Sequence, residues 1–159
     1  SSFEAFDNVV DVPIVARRST KDPSELRDIL HLPRDRKLAL FSFGRYGIGG
    51  INWARVQKLR GYHVIFTTRD RNDGGPNGST FTTLDELWLA TVGITYADVM
   101  AAVDVVITKP GFGMISECAA NDTAMLSTDR GRFPEYAVLV AGMSAILITA
   151  RFIPSGNRA

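Results

Sequence analysis

Residues 107–117 read ITKPGFGMISE, and this stretch decides the fold of the chain. Residues 104–108, which overlap the start of this stretch, are a short run rich in β-branched side chains, as in a buried strand. Residues 114–120 favour a helix. Pro110 and Gly111 shape the connection, and Gly113 leaves the entrance of the helix without a side chain. The sequence therefore predicts a strand-to-helix turn at this position.

The same alternation of strand-like and helix-like segments runs along the rest of the chain. Residues 22–25 predict the start of a helix. They supply an aspartate for the N-cap, a proline at the first helical position and a glutamate, and an apolar stripe follows them. We expect further helices at 53–59, 96–102, 115–120 and 138–143, and strands at 37–43, 62–68, 104–108, 123–127 and 145–149. Residues 69–79 are rich in turn formers and predict a mobile surface loop. This order indicates an α/β fold, a single Rossmann-like parallel sheet with helices on both faces.

Composition excludes several classes of protein. With 159 residues, 45% hydrophobic and 22% charged, we expect one globular domain with a real core. Lysine and arginine number 18 against 17 acidic residues, so the charge predicts no nucleic-acid or membrane-surface partner. The longest uncharged run, between Glu135 and Arg151, is shorter than the roughly 20 apolar residues of a transmembrane helix. A single cysteine, Cys118, cannot form an internal disulfide, which favours a cytoplasmic location.

Two glycine-rich turns follow predicted strands, where a parallel sheet places its ligand. The first, SFGRYGIGG at 42–50, matches neither the dinucleotide pattern nor the P-loop, and an ordinary structural turn is an equal alternative. In the second, Lys109 can face a phosphate and the Glu117 carboxylate can accept two hydrogen bonds from sugar hydroxyls. Alternatively, Glu117 only favours the positive end of its helix.

The second turn also carries a family resemblance. YADVMAAVDVV at 96–106 and TKPGFGMISECAA at 108–120 resemble the nucleotide-sugar-binding signature of GT-B glycosyltransferases, closest to the group of the peptidoglycan N-acetylglucosaminyltransferase. LFSFGRYG at 40–47 is similar to the first glycine loop of the same domain. STDRGRFPEY at 127–136 resembles bacterial glycosyltransferase-like proteins and the glycosyltransferase-like half of plant sugar kinases. The resemblance covers roughly residues 11–153.

This resemblance implies the C-terminal, donor-binding half of a UDP-sugar-dependent glycosyltransferase of the hexosyltransferase type. Residues 1–20 would be a linker or an entry segment. The N-terminal acceptor domain with its catalytic base would be absent, so we assign no catalytic residue and expect no activity from the chain alone. Because the chain begins with serine, we expect a processed or trimmed piece of a longer protein. The expected partners are the nucleotide-sugar donor and an acceptor domain or partner chain. Self-association through an uncovered apolar cleft is a further possibility.

The resemblance also assigns the expected binding residues. Glu117, in a Ser-Glu pair with Ser116, would bind the ribose hydroxyls, and the glycine turns would present amides to the diphosphate. The base would lie against the backbone near residues 92–95, which include Ile94. Glu135 would reach the donor sugar, and Arg17 or Arg18 would add charge at the phosphates. The full set of expected nucleotide-sugar-binding residues is Gly44, Arg45, Tyr46, Gly47, Ile94, Lys109, Gly111, Phe112, Gly113, Ser116, Glu117, Arg132 and Glu135. Recognition in the family is metal-independent, so no metal ligand and no cofactor are expected.

Two other functions compete with this interpretation. A nucleotide-sugar epimerase uses related chemistry on the same scaffold, and a noncatalytic sugar-nucleotide-binding or interaction module is the alternative from a different class. NAD binding requires a glycine fingerprint and a downstream acid that the sequence lacks. His31, His63 and Cys118 are expected to be structural, with Cys118 a buried and unreactive thiol.

Overall fold

A computed structural model describes residues 6–10, 12–43, 52–68, 78–128, 136–146 and 150–153. The helices in these ranges are α1 (Pro23–Ile29), α2 (Trp53–Val56), α3 (Glu86–Thr91), α4 (Tyr96–Ala102), α5 (Phe112–Ala120) and α6 (Tyr136–Ile146). The strands are β1 (Lys37–Ser42), β2 (Tyr62–Thr68), β3 (Phe81–Asp85), β4 (Val105–Thr108), β5 (Ala124–Thr128) and β6 (Ala150–Ile153).

The described strands form one six-stranded sheet in the order β3-β2-β1-β4-β5-β6, and every pairing is parallel. The predicted Rossmann-like α/β class is therefore confirmed. Parallel strands all end at the same edge, which we call the carboxyl edge. The pairings there place Ser42 of β1 beside Thr108 of β4, and Thr108 beside Ser127 of β5.

The two faces of the sheet have different cores. On one face, Leu38, Leu40, Ile65, Val106 and Met125 pack in a single buried cluster with residues of α1, α3, α4, α5 and α6. On the other face, a smaller cluster is rich in phenylalanine and includes Phe41, Phe66 and Phe81, with Val56 of α2 packed against it. Alternation of side chains along each strand separates the two clusters, because successive residues point to opposite faces.

Asp104 holds the opposite edge of the sheet together. Its carboxylate accepts hydrogen bonds from the Leu38 amide (2.8 Å), from Lys37 Nζ (3.0 Å) and from the Arg27 guanidinium (3.2 Å). Arg27 also donates to the Ala102 carbonyl at 2.8 Å. These contacts tie α1 and the start of β1 to the residue that precedes β4.

Several predicted boundaries differ from the structure. The predicted strand at 145–149 is wrong at residues 145 and 146, because α6 continues to Ile146; residues 147–149 lie outside the described ranges, and β6 spans Ala150–Ile153. The run from 136 to 146 contains no proline and one glycine, Gly142, which costs a helix only about 1 kcal/mol. The predicted helix at 53–59 ends already at Val56. The loop predicted at 69–79 lies mostly outside the described residues.

The sequence reading also missed β3 and α3. Their junction has a recognisable signal, since the Asp85 side chain caps α3 by accepting hydrogen bonds from the amides of Leu87 and Trp88. None of the helices within the described ranges is long and apolar enough to cross a membrane.

Leu40 tests the importance of the larger core cluster. It lies in the middle of β1, fully buried between β2 and β4. We expect Leu40→Ala to lower the free energy of unfolding by about 2–5 kcal/mol, because the lost methyl groups leave a cavity in a close-packed core. Urea denaturation measures the change, with Leu87→Ala on the exposed side of α3 as the control. An equal loss in both variants would contradict this assignment of the core.

Candidate functional site

The carboxyl edge gathers polar groups from three neighbouring strands. The Thr108 hydroxyl at the end of β4 donates to the Ser42 carbonyl, and the Tyr96 hydroxyl donates to Ser42 Oγ at 2.5 Å. Tyr96 is the first residue of α4, so this bond places the start of that helix beside the end of β1. Burial raises the pKa of Tyr96 to about 12, so its phenol stays neutral and remains a donor at physiological pH.

Ser127 continues this row of hydroxyl groups on β5. Its side chain is fully buried, and Oγ has no hydrogen-bond partner among the described residues. A buried hydroxyl without a partner costs stability, and such groups are rare in native structures. The sequence reading did not single out Ser127. The available signal was its position at the end of a predicted strand, next to the strand that precedes the glycine turn.

The start of α5 is open to a ligand. Gly111 is the N-cap residue and has no side chain to bond the amides of the first turn. A methyl group built at Gly113 would meet no atom within 4 Å, so neither packing nor backbone conformation requires glycine there. Lys109 and Phe112 are exposed beside this turn. The free amides and the helix dipole make the position suitable for an anion.

Glu117 lies one to two turns inside α5 and is only 8% exposed. Its Oε1 accepts a hydrogen bond from Arg17 Nε at 2.6 Å. That hydrogen bond and the charge of Glu117 raise the pKa of the Arg17 guanidinium. Glu117 is therefore a buried carboxylate with a charged partner, and the helix-dipole alternative does not describe all of its interactions.

Ser116, the neighbour of Glu117, is bonded within its own helix. Its hydroxyl donates to the Phe112 carbonyl at 2.5 Å, so only the lone pairs of Oγ are free to accept from a ligand. Cys118 is fully buried, and burial raises its thiol pKa to about 12. The expected burial of this thiol is confirmed.

Arg17 belongs to a segment that is attached to α4 and α5 by its neighbours. The Asn121 side chain, just after α5, donates to the Arg17 carbonyl at 3.0 Å and accepts from the Ser19 amide at 2.8 Å. The Ser19 hydroxyl donates to Asp98 Oδ1 at 2.6 Å, and Lys21 Nζ lies 2.9 Å from Asp98 Oδ2. Arg18, the other candidate for a phosphate contact, instead pairs loosely with Asp122 at 3.6 Å.

Asp98 is the centre of this attachment, and the sequence reading did not identify it. It is 2% exposed and forms a reciprocal capping box with Thr95 at the start of α4. Burial by itself opposes ionisation, but hydrogen bonds from Ser19, Lys21 and Thr95 outweigh burial and hold the pKa of Asp98 well below its usual value. The ionised carboxylate therefore joins the N-terminal segment to α4.

The segment expected to contact the base has its donors already in use. The backbone amides of Val92, Gly93 and Ile94 donate to carbonyls of α3, and the Thr95 amide donates to Asp98 Oδ2. The Gly93 carbonyl accepts from Lys21 Nζ at 3.1 Å. In the described part of the chain, the carbonyls of Val92 and Ile94 receive no hydrogen bond. The Ile94 side chain itself is buried in the core.

Other expected site residues cannot be placed beside these. Gly44, Arg45, Tyr46, Gly47, Arg132 and Glu135 lie outside the described residues. The structure brings together Lys109, Gly111, Phe112, Gly113, Ser116 and Glu117 on one turn and helix, with Arg17 added from the N-terminal segment. Their role as binding residues stays a prediction.

Comparison with known proteins supports the fold. No family profile matches the sequence, and no curated protein matches it. The structure is similar to the crystal structure of the glycotransferase of kitacinnamycin, with a TM-score of 0.54 and 20% identity over 89% of this chain and 35% of that one. It is also similar to E. coli ADP-heptose lipopolysaccharide heptosyltransferase II, with a TM-score of 0.59 and 14% identity over 91% of this chain and 47% of that one. The chain therefore has a glycosyltransferase-like fold and spans about a third to a half of these neighbours.

Asp98→Asn tests the attachment of the N-terminal segment. We expect the free energy of unfolding at pH 7 to fall by about 1.5–3 kcal/mol, because hydrogen bonds to a charged group are lost. Since the pKa of Asp98 is lowered in the folded state, its stabilisation is present above about pH 4 and is lost as the pH falls further, through the folded-state pKa.

The difference between wild type and Asp98→Asn should therefore shrink below about pH 4. Urea unfolding at pH 7, 4 and 3 measures it. Asp28→Asn is the matched control, because the Asp28 carboxylate pairs with Arg34 at the surface. A difference that stays constant over this pH range would contradict the role of the ionised Asp98.

Proposed function

We propose that this chain is the donor-binding half of a UDP-sugar-dependent glycosyltransferase. The observation that supports the proposal is the pairing, on one helix at the carboxyl edge, of an uncapped N-terminus with a buried carboxylate. The first suits a diphosphate and the second suits the hydroxyls of a ribose. The glycosyltransferase-like fold of the chain agrees with this arrangement.

In this proposal, the amides at Phe112 and Gly113 and the charge of exposed Lys109 hold the diphosphate. Oriented amides and positive charge stabilise the negative charge that develops on the leaving diphosphate as the glycosidic bond forms. Glu117 accepts hydrogen bonds from the ribose hydroxyls and so positions the nucleotide. No metal is required for these contacts, because the helix terminus and lysine supply the positive potential.

The base would be recognised at residues 92–95. The amides of this segment already donate to other acceptors, so its backbone carbonyls, above all that of Ile94, would bond the base. A carbonyl can accept from the imino N–H of uracil or from the exocyclic amine of adenine. One structural neighbour is named for an ADP-linked sugar, so ADP is the competing ligand that must be measured beside UDP.

The acceptor and the catalytic base would come from elsewhere. The chain corresponds to 35% and 47% of the two neighbours, so we propose that a further domain or a partner chain supplies the acceptor site. No described residue of this chain is assigned to deprotonate the acceptor. We also propose that the chain is related to the peptidoglycan N-acetylglucosaminyltransferase group.

Calorimetric titration with UDP tests the proposed site. We expect saturable binding that Glu117→Ala weakens by about 10-fold or more, because a hydrogen bond to a charged group contributes about 1.5–3 kcal/mol. The variant should fold, since loss of the Glu117 carboxylate leaves only the exposed Arg17 without its partner. Glu25→Ala, an exposed carboxylate in α1, is the control and should bind UDP as wild type does.

The other ligands separate the competing functions. NAD should not bind. ADP binding tighter than UDP binding would change the proposed donor class, and equal affinities of wild type and Glu117→Ala would remove the assigned ribose site. Binding of no nucleotide would favour a noncatalytic interaction module.

Gly113→Ala separates a binding role for this glycine from a structural one. The space beside Gly113 is open, so the added methyl group should stabilise α5 by up to about 1 kcal/mol while obstructing the approach of a diphosphate to the first-turn amides. We expect UDP affinity to fall several-fold. Gly142→Ala in α6 has equally open space and should increase stability without changing UDP affinity. Equal UDP affinity in both variants would show that the amides near Gly113 do not contact the ligand.

A further inference from the structure

The contact between Arg17 and Glu117 occupies the carboxylate to which the proposed function assigns the ribose. The Glu117 side chain is 11% exposed, whereas that of Arg17 is 68% exposed. The guanidinium therefore lies on the solvent side of the carboxylate. A hydroxyl group that approaches Oε1 from solvent must take the place of Arg17 Nε, which is 2.6 Å away.

The segment that carries Arg17 is attached to α4 and α5 through residues 17–21. Ser19 and Lys21 are bonded to the buried Asp98, and Asn121 bonds the backbone at residues 17 and 19. On the other side, Val12, Ile14 and Val15 are exposed, and residues 12–16 make no hydrogen bond within the described part of the chain. Arg17 therefore lies next to residues 12–16, and it is bonded to the domain by its side chain, through Glu117, and by its carbonyl, through Asn121.

The two ends of the attachment differ in strength for a physical reason. Asp98 is buried and its partners satisfy a charge that would otherwise be costly, so Ser19 and Lys21 should remain in place. Arg17 is exposed and regains water when it leaves, and such pairs contribute only about 0.2–1 kcal/mol. A bound ligand can displace Arg17 without disturbing Asp98.

We propose that Arg17 is a gate on Glu117: a nucleoside displaces its guanidinium from the carboxylate and thereby loosens residues 12–16, which the bond from Asn121 to the Arg17 carbonyl still restrains. This inference rests on the proposed function, because it assumes that Glu117 binds ribose hydroxyls. It adds that ligand affinity is set partly by Arg17 and that ligand binding changes the freedom of the N-terminal segment. The mobility of residues 12–16 then depends on whether a ligand occupies the site.

Uridine is the probe for the competition, because it carries the ribose hydroxyls without the phosphates that a free arginine would attract. Arg17→Ala should bind uridine roughly two- to five-fold more tightly than wild type, which is the affinity equivalent of an exposed ion pair. Arg18→Ala is the matched control, since Arg18 contacts Asp122 and should leave uridine affinity unchanged. Unchanged or weaker uridine binding by Arg17→Ala would overturn the gate.

The mobility of residues 12–16 is measured in a separate experiment. A nitroxide label on Val15→Cys reports local mobility by electron paramagnetic resonance, and Cys118 is too buried to react with the label. We expect uridine to increase the mobility of the label in wild type, and Glu117→Gln to increase it without ligand. A label on Leu87→Cys, on exposed α3, should respond to neither. No increase with Glu117→Gln would show that the ion pair does not hold the segment.

Failure of the gate and failure of the proposed function give different results. UDP binding that depends on Glu117, together with unchanged uridine affinity in Arg17→Ala, overturns the gate alone. If neither wild type nor Arg17→Ala binds UDP or uridine, the proposed function fails and the gate fails with it.

Discussion

The pairing of β1 with β4 is the constraint on which the rest of the structure depends. In the order β3-β2-β1-β4-β5-β6, the chain moves outward in one direction after β1 and in the other after β4. In parallel α/β proteins, ligands bind at the carboxyl edge where the order of the strands reverses in this way. The register sets Ser42 beside Thr108 at this point. Hydrogen bonds from Thr108 and Tyr96 to Ser42 then join β4 and the start of α4 to the end of β1.

Near the carboxyl edge, charged groups lie where the physical environment makes them effective. The amides at the start of α5 provide positive potential beside exposed Lys109, and Glu117 provides a carboxylate a short distance along the same helix. Asp98 keeps its charge although it is buried, because Ser19, Lys21 and Thr95 supply hydrogen bonds. The N-terminal segment is thus held against α4 and α5 close to Glu117.

Local sequence was sufficient to predict most of the helices and strands, but not all of them. The bounds of β2 and α4 agree with the prediction, since β-branched residues and a capping pattern act within a few residues of themselves. β6 was misplaced because the apolar residues near 145 suit a helix or a strand equally well, and the continuation of α6 decides between them. α3 was missed although Asp85 caps it, because a short helix has a weak apolar period.

The sequence by itself determined the strand-to-helix turn at 107–117, the glycines at the start of α5 and the presence of Glu117 in that helix. These features follow from the conformational preferences of neighbouring residues. Only the tertiary structure decided what Glu117 contacts, since Arg17 lies 100 residues away in the chain, and Ser19 lies 79 residues from Asp98. No local pattern records such partners. They meet because the parallel topology brings α4, α5 and the N-terminal segment together, and because buried carboxylates must be satisfied there by donors from elsewhere in the chain.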